Sequence, residues 1–199
     1  STPIKSSAAS DVYKRQIMGF LLGGIMKMIC TSPLSSMALT AMLGLTGLPM
    51  GIAAIACFGG SFTNGMVFHK MGYGDKSNVI AVMLEPLTQA HIVTAHPIPI
   101  FVSNFFGGGL AGLAAAMLGI VNNAPGTASP IPGLIAPFGF NPAGKVILAL
   151  ALAAVGGLLA GYVGGTVFSR LEKRKKATAK AAEPAVYGDP LADDEMLEA

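Results

Sequence analysis

The chain has 199 residues, of which 52% are hydrophobic and 12% charged, and its mean hydropathy is +0.62. Soluble domains carry about twice that charged fraction, and a core of this size in water cannot hide so much apolar surface, which excludes an ordinary soluble enzyme. The net charge of +3 comes from a basic run, Arg170, Lys173, Arg174, Lys175 and Lys176, directly after the last apolar stretch. That is the position of a cytoplasmic juxtamembrane cluster, not of a nucleic-acid patch.

In chain order, the first segment is out of character. Ser1–Gln16, with its run Ser7-Ala8-Ala9-Ser10-Asp11-Val12-Tyr13-Lys14-Arg15-Gln16, reads as a translated adapter set apart from the fold. Ile17–Cys30 then begins abruptly inside an apolar run broken by Gly23, Gly24 and Lys27. It reads as the stump of a cut helix, so the chain is expected to be the C-terminal part of a larger membrane protein. Thr31-Ser32-Pro33 marks a turn. Leu34–Leu48 reads as a second helical segment, ended by Gly47 and Pro49.

Met50–His69 has the length of a membrane span, about 20 residues, and carries Gly59, Gly60, Asn64 and Gly65, small enough for close helix contact. His69–Lys76 is the most polar internal stretch and reads as an aqueous loop. Ser77 or Asn78 can cap a helix through Val79–Leu84. Glu85-Pro86 interrupts it, because proline removes a backbone donor and frees its neighbours. Thr88, Gln89, His91, Thr94 and His96 follow, unusually polar for membrane depth, before Pro97 and Pro99.

Ile100–Val121 is the next span, with small residues every fourth position: Ser103, Gly107, Ala111 and Ala115 in one row, Gly108, Gly112 and Ala116 in another. Asn122–Pro142 mixes Pro, Gly, Asn, Ser and Thr with Ile131, Leu134, Ile135, Phe138 and Phe140. It fits a re-entrant hairpin buried in protein, and equally a long extramembrane loop packed on the bundle. Ala143–Phe168 is the last span, uncharged after Lys145. Its Ala149, Ala153, Gly157, Gly161 and Gly165 form a continuous packing face. The remainder, 169–199, is a basic and then acidic cytoplasmic tail, disordered over Glu183–Ala199. The fold expected is an all-α polytopic transmembrane helix bundle with a broken helix and a re-entrant hairpin, spanning 17–168.

Chemistry concentrates where the apolar pattern fails. Glu85 is the one acid embedded in apolar sequence, and an acid at membrane depth marks a functional site by default. Its carboxylate can accept charge-assisted hydrogen bonds from the hydroxyls of a polar ligand; a helix-end Glu facing water is the plainer reading. Gln89, His91 and His96 lie close by in sequence. The histidines suit hydrogen bonding or proton transfer, or are simply polar residues near an interface. Asn122, Asn123, Thr127 and Ser129 bring the amides and hydroxyls that a sugar site needs, and the same residues suit turn chemistry. No group is placed as catalytic. Cys30 and Cys57 lie in apolar segments as small buried hydrophobes. No metal-ligand spacing, phosphate loop or cofactor motif is present, so no metal and no cofactor are expected.

Taken together, the Glu-Pro break, the polar stretch ending in Pro-Ile-Pro, the Gly-rich span, and the segment Asn-Asn-Ala-Pro-Gly-Thr-Ala-Ser-Pro-Ile-Pro-Gly-Leu-Ile before a final long span carry a resemblance. The chain resembles the membrane subunit IIC of the bacterial sugar phosphotransferase system. It is most similar to the second EIIC family, which includes PfoR-related toxin-expression regulators. The resemblance covers Ile17–Phe168 and is sharpest in Leu84–Phe140. It implies a homodimeric, multi-pass protein of the bacterial inner membrane with a cytoplasmic C-terminus. Such a protein binds a sugar and carries it across the lipid bilayer for phosphorylation by a cytoplasmic IIB protein. The family's substrate Glu, in a Thr-Glu-Pro setting, falls on Glu85, where Leu84 replaces the Thr. Two other functions remain open: a membrane sensor on the same scaffold, or an unrelated secondary transporter with broken helices.

Overall fold

The computed structural model describes residues 3–182, and all regular structure among them is helical. The chain divides into two units, Ser1–Ser169 and Arg170–Ala199. The helices are α1 (Pro3–Thr31), α2 (Ser36–Met42), α3 (Gly47–Met71), α4 (Lys76–Leu84), α5 (Ala90–Ala95), α6 (Pro97–Leu118), α7 (Pro130–Ile135) and α8 (Ala143–Ala182), with 3-10 turns at Pro86–Gln89 and Ala136–Gly139. In the second unit the basic run is helical through residue 182. The acidic stretch expected to be disordered lies outside the described residues.

Two boundaries differ from the sequence reading. Pro49 does not end a helix; it sits in the first turn of α3, where the missing N–H costs nothing because first-turn donors have no intrahelical partner. α1 continues back through the Ser1–Gln16 stretch to Pro3. No Gly or Pro lies between Pro3 and Gly19, so nothing in that stretch breaks a helix.

Among the described residues, three helices are long and apolar enough to cross a bilayer: Gly47–Met71, Pro97–Leu118 and Ala143–Ala179. The distribution of polarity is inverted relative to a soluble protein. Thr31, Thr40, Thr63, Asn64, Asn104 and Asn122 are fully buried, while Leu152, Val155, Leu159, Val163 and Val167 of α8 are exposed. In water the cost of that arrangement would be prohibitive. In lipid the tails solvate leucine, and polar groups turn inward.

Small residues set the packing, as they must where no hydrophobic effect drives helices together. A Cβ on Gly23 of α1 would lie 2.7 Å from the Cα of Gly112 in α6. Gly108 lies against Lys27 and Gly23. Gly157, Gly161 and Gly165 of α8 face Gly59, Thr63 and Lys70 of α3, and Thr63 Oγ1 donates to the Gly157 carbonyl at 2.9 Å. These pairings fix direction: α1, α3 and α8 run parallel, and α6 runs against all three. α6 ends on Gly119 (φ +58), whose left-handed conformation favours glycine and lets the chain turn away. The core between α3, α6 and α8 is alanine-rich, with Ile52, Ile55, Ile120 and Val146 as its larger members.

Candidate functional site

The site is built by two hairpins that enter the bundle from opposite ends of α3. The first leaves the C-terminus of α3. Asp75 accepts from the Asn78 N–H at 2.9 Å and the Asn78 side chain accepts from the Asp75 N–H, a reciprocal cap that starts α4. α4 then runs back along α3, and Met83 Cγ would lie 2.7 Å from a Cβ on Gly65. At Glu85 the backbone becomes extended (φ −146°, ψ 97°) and Pro86 opens a 3-10 turn. α5 returns outward to His96, whose ring stacks on Tyr73 at 4.1 Å, just beyond the end of α3. Glu85–Leu87 is therefore the inner tip of a hairpin whose base is at Tyr73 and His96.

The second hairpin, 122–142, starts and ends at the other end of α3. The Asn122 N–H donates to the Gly47 carbonyl at 3.0 Å, and the Gly47 N–H donates to Asn123 Oδ1 at 3.0 Å. Asn141 closes the return by bonding both the N–H and the C=O of Val121, at 3.0 and 2.7 Å. Between these ends the chain reaches Ala54, whose carbonyl carbon would sit 3.0 Å from a Cβ on Gly133. Ala128 packs with Met50, Ala53 and Cys57. Of the two readings open from the sequence, the structure takes the hairpin: irregular backbone folded into protein, with its polar groups met there. Ser36 of α2 donates to the Ala128 carbonyl at 2.5 Å.

The two tips meet. Glu85 and Leu87 from the first and Ser129 from the second line one cleft with Cys30, Ser35 and Ser36. It encloses about 30 Å³, room for about two water molecules and not for a hexose. A much larger groove of about 410 Å³ between α6 and α8 is lined almost wholly by apolar side chains such as Val102, Phe106, Leu159 and Val163. A polar solute finds few partners there.

The candidates named from sequence divide accordingly. Glu85 and Ser129 come together in the cleft. Glu85 is exposed, and its backbone N–H and C=O are engaged by Ala81 and Thr88. Gln89 is buried and accepts from Asn78 Nδ2 at 2.7 Å, bracing the hairpin. His91 is exposed on α5 and His96 stacks at the base. Asn122 donates to Thr127 Oγ1 at 2.8 Å and accepts from the Ala124 N–H at 3.0 Å. Thr127 in turn donates to the Ala124 carbonyl at 2.8 Å. The side chains of Asn122 and Thr127 thus bond within the hairpin, while the Asn122 N–H and Asn123 Oδ1 tie it to Gly47 of α3.

Sequence reasoning missed a buried polar layer beside the cleft. Asn104 of α6 donates to Asn64 Oδ1 of α3 at 2.5 Å, and Asn64 donates to Thr31 Oγ1 of α1 at 3.4 Å. Lys27 lies one turn before Thr31, fully buried. Its signal was present: a lysine inside an apolar run is as notable as an acid in one. Cys30 and Cys57, far apart in sequence, are brought into one buried cluster with Met26 and Met50. Among the described residues no group of three His, Cys, Asp or Glu is placed to hold a metal ion.

Neither a curated protein nor a solved structure matches the chain. The family model described as "Phosphotransferase system, EIIC" matches residues 14–181, which covers both hairpins and every span. Three apolar spans, two opposed hairpins and that match give one conclusion: the chain belongs to the EIIC family, the sugar-transporting membrane component of the phosphotransferase system.

Proposed function

We propose that the cleft between the hairpin tips is where a sugar is held during transport, and that Glu85 accepts hydrogen bonds from its hydroxyls. One observation carries this reading: the acid that interrupts the apolar sequence sits at a meeting point of polar groups reached from both ends of the bundle. A broken helix with a carboxylate near the middle of a bundle is costly unless a polar solute uses it. The cleft's small volume means that the tips part to admit a sugar, and the first hairpin is the one free to move. The protein then acts as a homodimeric IIC in a bacterial inner membrane, with its C-terminus in the cytoplasm. It presents the sugar in line for a phosphorylated IIB partner, and its contribution to phosphoryl transfer is positioning. Ser129 and the hydroxyls of Ser35 and Ser36 complete the ring of polar groups around the solute.

The test is sugar binding by the purified full-length protein, with and without Glu85→Gln. A charge-assisted hydrogen bond contributes about 1.5–3 kcal/mol, so the variant should bind ten- to a hundredfold more weakly. Its melting temperature should stay unchanged, because Glu85 is exposed. Unaltered affinity in the variant would remove Glu85 from the site. Binding without uptake in IIB-supplied vesicles would favour a sensor on the same scaffold.

A further inference from the structure

Among the described residues, the bundle buries a lysine for whose ammonium it supplies no partner. Lys27 is 0% exposed and its Nζ has no hydrogen-bond partner. Its stem is lodged between helices: a Cβ on Gly60 of α3 would lie 2.5 Å from Lys27 Cε, and one on Gly108 of α6 would lie 3.0 Å from its Cγ. Glycine at 60 and 108 thus makes room for a long side chain at a contact that leucine or methionine could fill without burying charge.

The first unit contains three acids, Asp11, Asp75 and Glu85. Asp75 caps α4. Asp11 is exposed and lies 16 residues before Lys27 on the same helix, about 24 Å along its axis. Glu85 lines the cleft together with Cys30 and forms no ion pair with Lys27, whose Nζ has no hydrogen-bond partner. A second polar atom is left without a partner on α6, one turn before the Gly108 against which Lys27 packs: Asn104 Oδ1, also fully buried. An unpaired buried ammonium is among the costliest groups a bundle can hold, and inside a membrane protein it usually faces a ligand or its path.

Lys27 and Cys30 are three residues apart on α1 and share a face. Cys30 lines the cleft that contains Glu85. Lys27 is thus one helical turn from the cleft wall at Cys30, beside the space that parting the hairpin tips would enlarge. The opened site would offer a carboxylate for hydroxyl hydrogens on one side and a cation on the other.

We propose that Lys27 is the counter-ion for an anionic group on the solute, so that the sugar carried is an acidic one, bearing a carboxylate or a phosphate. This rests on the reading of the Glu85 cleft as a sugar site. A neutral hexose would leave the ammonium unpaired in every state. An anionic sugar neutralises it only when bound.

The experiment is calorimetric binding of matched sugars to the full-length protein: glucose, glucuronate and glucose 6-phosphate, then galactose and galacturonate. Wild type, Lys27→Met and Lys27→Gln are compared, with melting temperatures alongside. Wild type should bind an anionic member at least tenfold more tightly than its neutral partner, and both variants should lose that preference. Glucuronate or galacturonate binding identifies a carboxylate; glucose 6-phosphate binding alone identifies a phosphate. Lys27→Met should melt at or above the wild-type temperature, since it removes a buried unpaired charge; a clear fall would mean that the ammonium is structural and would overturn the proposal. Equal affinity for neutral and anionic sugars, or a preference that survives both substitutions, would also overturn it while leaving the Glu85 site intact. Failure of every sugar to bind would bring down the Glu85 reading as well.

Discussion

The two hairpins solve one problem in different ways. Each carries non-helical, proline-containing chain into the bundle and out again. The hairpin at 122–142 is tied to its surroundings: to Gly47 at the start of α3, to Ser36 on α2, and through Asn141 to the end of α6. Gly133 lets it lie on the α3 backbone at Ala54. The bonds described for the hairpin of α4 and α5 run within it: Asp75 to Asn78, Asn78 to Gln89, Thr88 to Glu85. Its hold on the bundle is apolar contact through Val82 and Val93 and the stack of His96 on Tyr73. The difference separates a fixed wall from a movable one, and the charged residue is on the movable one.

The strongest way to break this contrast is to dislodge the fixed wall. Gly133→Val places branched carbons on the Ala54 backbone, and overpacking of this kind costs about 2–3 kcal/mol. The melting temperature in detergent should fall clearly, whereas Gly139→Ala, with open space around it, should leave it unchanged. A smaller effect separates the two hairpins without mutation. Amide hydrogen exchange in 86–95 should run at least tenfold faster than in 128–135, because protection tracks the free energy of local opening. Equal rates would make both hairpins fixed. The smallest expected effect is at the base of the movable hairpin. His96→Ala removes the ring stack, with about 1 kcal/mol at stake, and should raise exchange in 86–95 while leaving 128–135 as it was.

The spans and the break at Glu85-Pro86 were legible because they depend on neighbours in sequence: apolar length in the one, a missing N–H in the other. The depth of the second hairpin was half legible. Its apolar residues argued against an aqueous loop, but its seat on Ala54 depends on a glycine meeting a helix about 80 residues earlier. Asn122, Asn123 and Thr127 could be read either way because the residue types that bind hydroxyls also close turns; the structure shows Asn122 and Thr127 bonded within the hairpin and Asn123 bonded to Gly47 of α3. The layer of Lys27, Thr31, Asn64 and Asn104 was not legible as a unit. Its members lie on three helices, and only the register of α6 against both α1 and α3 brings them level. Pro49 was misread for a simpler reason: proline marks both helix ends and helix starts.

The ties of the fixed hairpin also dictate an order of assembly. Irregular backbone cannot enter lipid before protein partners exist for its polar groups. The partners of 122–142 are Gly47, Ser36 and Ala54, all made earlier in the chain, while α8 is made after it. The spans can be laid into the bilayer as independent helices, but this hairpin has to wait at the surface until α2 and α3 are side by side, and only then sink between them. The centre of the bundle is thus built only after the helices that wall it, and it is closed from the two sides separately.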